Sequence, residues 1–156
     1  MFHSLRFTPL CMALVAVSAL HWSTQAWAVT AHASPKYQAE CAACHIAYPP
    51  GMLPAASWRR LTAGLDKHFG VDASLDAAST AEIADWLQSH AGRDKRVSQE
   101  PSQDRISKSR WFVRQHDEVG ASVWKRKAIG SPSNCGACHA GAAKGLFNED
   151  DVRIPK

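Results

Sequence analysis

Two copies of one five-residue pattern constrain this chain more than anything else in it: Cys41-Ala-Ala-Cys-His45 and Cys135-Gly-Ala-Cys-His139. In C-x-x-C-H the two thiols add to the vinyl groups of a haem as thioethers, and the adjacent imidazole binds the iron from one side. One copy in a short chain is a moderate signal; a second copy makes chance a poor explanation. Zinc is a weaker reading, because the two pairs lie far outside ribbon spacing and each is followed directly by histidine. Thioredoxin-like chemistry needs a single pair in an α/β unit, and no strand alternation is visible. Two covalently bound haems c are expected, attached through Cys41 and Cys44 and through Cys135 and Cys138. His45 and His139 are then the first axial ligands.

Residues 1–28 read as an export signal, with Arg6, an apolar run from Leu10 to Leu20, and a small-x-small cleavage site at Ala26-Trp27-Ala28, with Ala31-His32-Ala33 as the alternative site. The run is shorter than the ~20 residues a membrane span requires. No later segment approaches that length, so a periplasmic chain without a transmembrane segment is expected. Cys11 falls in the signal, and the motifs use the other four cysteines, which leaves none for disulfides. The net charge of +4 would move toward neutrality with two ferric haems, so it is a weak guide to partners; no nucleic-acid partner is expected.

Apolar spacing organises the rest. Ser34-Pro35 has the form of a helix start, and a short helix through Tyr37 to His45 would present the first motif. Tyr48 to Pro54, with three prolines, must be a loop; one of its carbonyls could accept the outer N–H of His45. Ala55 to Phe69 reads as a helix with Trp58, Leu61, Leu65 and His68 on one face. Ser79 to Glu82 fits a capping box opening a third helix, striped by Ile83, Trp86, Leu87 and His90 and closed by Gly92. Residues 93–109 are polar and charged around Pro101, a linker. The segment 110–156 holds one short helix from Arg110 through Glu118, then irregular chain with Asn134 as the cap before the second motif. It has few large apolar residues, so a haem would have to be its core. The division is a haem 1 domain over 29–92, the linker, and a haem 2 domain over 110–156.

The sixth ligand of each iron is the open question. Methionine is the usual partner in high-potential cytochromes, but past the signal there is only Met52, seven residues after His45, on a loop too short to reach the opposite haem face. Histidine is the alternative. His68, on the apolar face of its helix, is the first choice for haem 1. His116, four residues after Phe112 and the only unassigned histidine in the second unit, is the choice for haem 2. His90 is the rival for either position, with a plain helix-terminal histidine as its other reading. His32 stands beside the signal. Lys125-Arg126-Lys127, helped by Lys144, Arg153 and Lys156, is the best docking patch, although a solvated face is the default for such a run. The tryptophans fit haem-edge packing better than a redox relay.

The chain resembles the dihaem cytochrome c family, small bacterial proteins that reduce an oxygen-binding monohaem cytochrome, the sphaeroides haem protein. The resemblance runs from Tyr37 to Pro155. It rests on Cys-Ala-Ala-Cys-His-Ile-Ala-Tyr-Pro-Pro-Gly at 41–51, Trp58 with Leu65-Asp66-Lys67-His68-Phe69-Gly70, and Arg110-Trp111-Phe112-Val113-Arg114-Gln115-His116. Val123-Trp124-Lys125-Arg126 and Asp151-Val152-Arg153-Ile154-Pro155 complete it. It implies a mainly α fold, with a class I cytochrome c-like N-terminal haem domain and a smaller, irregular C-terminal one. It also implies bis-histidine haems of low potential and a monohaem redox partner, in some cases with a membrane b-type cytochrome as donor.

Two closed irons offer no site for a substrate, so electron transfer, not enzymatic activity, is the expected function. The alternatives are a small peroxidase-like dihaem enzyme and a gas-binding haem protein. Each would need one displaceable axial ligand.

Overall fold

The computed structural model describes residues 34–156; the expected export signal, Cys11 and His32 lie outside the described residues. The described chain is helical, with no strand and two isolated bridges, His68 with Val71 and His139 with Val152. No helix among the described residues is long and apolar enough to cross a membrane.

Helix α1 (Pro35–Cys41) starts as the serine and proline predict, with Ser34 Oγ accepting the Tyr37 amide. It stops before the motif is complete, where a helix through His45 was expected. The carbonyl of Ile46 turns back to the His45 ring, and the prolines at 49 and 50 cannot extend a helix. Helix α2 (Ala55–Ala63) is also shorter than the pattern suggests. It ends at Gly64, a residue of low helix propensity, and a single 3-10 turn, Leu65–Lys67, follows. His68 therefore lies on a turn and not on the α2 face, with Phe69 and Gly70 at φ 51° and 102° reversing the chain. Helix α3 (Ala77–Ser89) is capped by Asp76, whose carboxylate accepts the Ser79 amide at 2.9 Å. The expected capping serine is instead buried inside the first turn.

Tyr37, Leu53, Trp58, Ile83, Leu87 and Ala91 form one buried cluster between α1, α2 and α3. Ile83 and Leu87 are each 2% exposed, and full burial of such a side chain contributes about 1.5–3 kcal/mol. Trp58 donates its indole N–H to the Pro50 carbonyl at 2.7 Å, and Tyr37 donates its hydroxyl to the Tyr48 carbonyl at 2.9 Å. Both bonds pull the proline-rich loop onto the core. Gly92 does not end α3, which has already closed at Ser89; it permits a close crossing. A Cβ there would sit 2.5 Å from the Gly51 carbonyl oxygen and 2.7 Å from Val97.

The polar stretch 93–109 is laid along the first unit. Arg60 on α2 grips Asp104 with two hydrogen bonds of 2.6 and 2.9 Å and Glu100 with one of 2.7 Å. Val97 and Pro101 are buried, and Ile106 packs on the core cluster. Beyond it come α4 (Arg110–Gln115) and α5 (Ala121–Trp124), then 3-10 turns at Cys135–Ala137, Ala142–Lys144 and Glu149–Asp151. Ser109 caps α4 through the Phe112 amide. Asn134 precedes the second motif but makes no cap bond; its side chain donates to the Ile129 carbonyl instead. The tail returns to this motif, with the Arg153 amide donating to the Cys138 carbonyl and Arg126 donating to that of Pro155.

Candidate metal centres

The fold brings each motif histidine opposite one other histidine. The ring centres of His45 and His68 lie 6.1 Å apart, with planes 26° from parallel. His116 and His139 stand 6.2 Å apart, with planes at 79°. A transition metal binds an imidazole nitrogen at about 2 Å, and the nitrogen lies ~1 Å from the ring centre, so two rings on opposite sides of one metal have centres about 6 Å apart. Both pairs have that separation although one stands on loops of a three-helix core and the other among turns and two short helices.

The first pair is built from loops held by the α1–α3 core. The His45 Nδ1–H donates to the Ile46 carbonyl at 2.6 Å, which leaves Nε2 as the basic nitrogen. The carbonyl sought in the proline-rich loop thus comes from the residue next to the motif. Tyr48 lies over the His45 ring, with centres 4.8 Å apart and planes 25° from parallel. Burial, then His45, then Arg105 hold the His68 pKa below the ordinary histidine value. Phe69 leans on the His68 ring at 4.9 Å, and the Arg105 guanidinium sits 4.2 Å above the Phe69 centre.

The second pair is walled by aromatic rings. His116 is the residue that ends α4, and its Nδ1–H donates to the Phe112 carbonyl at 2.9 Å. Phe112 stacks on it at 4.0 Å, and Trp124 flanks it at 5.8 Å. Phe147 meets His139 edge-on at 5.4 Å. Burial and then His116 lower the His139 pKa. A metal ligand must be the neutral imidazole, and these shifts favour that form.

The donor set fits a haem. Among the described residues no three Cys, His, Asp or Glu side chains gather around a common point, so each imidazole pair suits a metal that brings its own equatorial donors. The Nδ1 atoms of His68 and His139 are buried without a hydrogen-bond partner, so no hydrogen bond of the protein's own at Nδ1 sets the orientation of these two rings. As free thiols, Cys41 is pushed up to about 11 by burial and then Glu40, and Cys135 and Cys138 are raised by burial. That is the opposite of the lowered pKa of a reactive thiolate.

His90 joins neither pair. It is exposed at the end of α3, with Nδ1–H donating to the Trp86 carbonyl at 2.8 Å and its ring on Trp86. Met52 sits in the 3-10 turn Pro50–Met52, where its carbonyl accepts the Trp111 indole N–H at 3.3 Å. Reasoning from sequence missed Tyr48, Arg105 and the Ile46 carbonyl. Only Tyr48 left a local trace, as an aromatic residue three positions beyond a motif histidine.

A family model described as dihaem cytochrome c matches residues 37–147. The X-ray structure of a dihaem cytochrome c from Shewanella baltica OS155 is 42% identical, with a TM-score of 0.69 over 78% of this chain and 92% of that one. Two structures of the dihaem cytochrome c of Rhodobacter sphaeroides are 45% and 44% identical, with TM-scores of 0.63 and 0.65. Each match covers 73% of this chain and 96% of that one. None of the curated proteins matches.

Proposed function

The chain belongs to the dihaem cytochrome c family and carries two covalently bound haems c for electron transfer, and from that premise we propose that it is a carrier with both irons closed by histidine. Cys41 and Cys44 hold one haem and Cys135 and Cys138 the other. His45 and His68 bind the first iron; His139 and His116 bind the second. The observation that carries this reading is the shared separation of 6.1 and 6.2 Å in two unrelated surroundings.

Each haem, when bound, supplies a one-electron ferric/ferrous couple. The protein's part is to fix that couple's ligands, shield it and keep substrates off. Ile46 and Phe112 hold two imidazoles through their carbonyls, which orients the rings and makes them stronger donors. Two imidazoles in place of a methionine favour the ferric state and so a low potential. With two imidazoles holding each iron, the protein would exchange electrons at haem edges and would offer a substrate no place to bind the metal, the behaviour of a carrier and not of an enzyme. In the domain reading, a class I-like first unit over 29–92 and an irregular second unit over 110–156 are joined by 93–109. The setting is the periplasm, after export by residues 1–28. The partner is another redox protein, a monohaem c-type cytochrome as acceptor and in some chains of transfer a membrane b-type donor, with Lys125-Arg126-Lys127 as the docking patch.

Carbon monoxide tests the closed sites. The wild-type protein should give low-spin spectra in both oxidation states and bind no carbon monoxide at neutral pH. His68→Ala and His116→Ala should each admit one equivalent, and His90→Ala none. Stoichiometric binding by the wild type would favour the peroxidase-like or gas-binding alternative.

A further inference from the structure

The two haem-binding units meet along one short stretch of chain. The Tyr48 hydroxyl donates to the Ser133 carbonyl at 2.7 Å, across 85 positions of sequence. Pro49 lies against Gly145, where an added Cβ would be 3.7 Å from its ring, and the Met52 carbonyl accepts the Trp111 indole. Tyr48 differs from its neighbours in having both ends committed. Its ring lies on His45, and its hydroxyl reaches the peptide two residues before Cys135. Its own carbonyl is tied to the core by Tyr37, so the residue is held from three directions.

We propose that Tyr48 is the bridge between the two redox sites and carries the electronic coupling between them. The route is the His45 ring, the stacked phenol, its hydrogen bond, and the backbone from Ser133 to the thioether sulfur of Cys135. A hydrogen bond couples electronically far better than an open gap of the same width. One electron leaves the ferrous site and one is gained by the ferric site. No bond breaks, no proton leaves, and the tyrosine remains closed-shell throughout.

This inference rests on the bis-histidine reading, and the experiment separates the two. In partly reduced holoprotein, the paramagnetically shifted haem methyl resonances report electron exchange between the sites through their line widths. Tyr48→Phe keeps the ring and deletes only the hydrogen bond. It should slow exchange several-fold while leaving the fully oxidised shifts unchanged. Tyr48→Leu should slow it further and move the oxidised shifts of the haem bound by His45, because that imidazole loses the aromatic ring stacked on it. Exchange in Tyr48→Phe as fast as in the wild type overturns the proposal. So does a change in its fully oxidised shifts, which would reduce the tyrosine to a general structural role. High-spin shifts in the wild-type protein would instead sink the closed-iron reading, whatever the variants do.

Discussion

The two imidazole pairs have nearly the same separation and very different supports. His45 and His68 stand on loops braced by three packed helices and a cluster of six buried residues. His116 and His139 sit in a segment whose buried apolar residues are Phe112, Ile129 and Ala142, with helices of six and four residues. In the first unit a six-residue core supports the imidazole pair; in the second the protein offers only three buried apolar side chains of its own. The ring planes differ too, near parallel in one pair and near perpendicular in the other. On the proposed function, the same donors would be delivered by one framework that folds largely on its own and by another that folds around its haem.

The sharpest way to break this comparison is to prevent attachment at one site at a time. With Cys135→Ala and Cys138→Ala together, hydrogen exchange should show protection lost across most of 110–156 and retained in α2 and α3. With Cys41→Ala and Cys44→Ala, α2 and α3 should still be protected. Equal loss in both halves would mean that the first unit depends on its haem as fully as the second.

A smaller effect tests the core itself. Leu87→Ala should cost about 2–5 kcal/mol in denaturant unfolding, the range for deleting a buried leucine side chain, and should leave the ligand spectrum of the second site unchanged. A matching change in that second spectrum would show that the halves do not behave separately.

The mildest perturbation falls on the other side. Ser109, 4% exposed, caps the helix that delivers His116. Ser109→Ala should cost ~1 kcal/mol, read as faster exchange confined to α4, with the first unit untouched.

Legibility in the sequence followed the same division. The motifs were readable because thioether attachment requires its residue types at fixed local spacing. The helices of the first unit showed in the apolar repeats of Trp58–Leu61 and Ile83–Leu87, which are buried or half-buried as a 3.6-residue period demands. Their ends were misread where one residue decides the boundary. Gly64 breaks α2 four residues before His68, and Asp76 takes the cap expected of Ser79. Contacts spanning long stretches of chain were invisible. The grip of Arg60 on Glu100 and Asp104 leaves no periodic trace, and neither does the bond from Tyr48 to Ser133. The second unit, made of turns, offered almost no pattern beyond its motif and the four-residue step from Phe112 to His116.

Electron paramagnetic resonance of the fully oxidised holoprotein tests the central claim most directly, because it reports the axial ligands of both irons at once. Imidazoles in near-parallel planes act on one iron d orbital and split the pair strongly, whereas perpendicular planes act on both and leave them nearly degenerate. The account predicts two low-spin signals of equal intensity. One should be an ordinary rhombic signal from the His45–His68 site. The other should have its largest g value displaced further from the free-electron value, from the His116–His139 site. A high-spin signal at either iron, or a methionine-ligated spectrum from either, would contradict it.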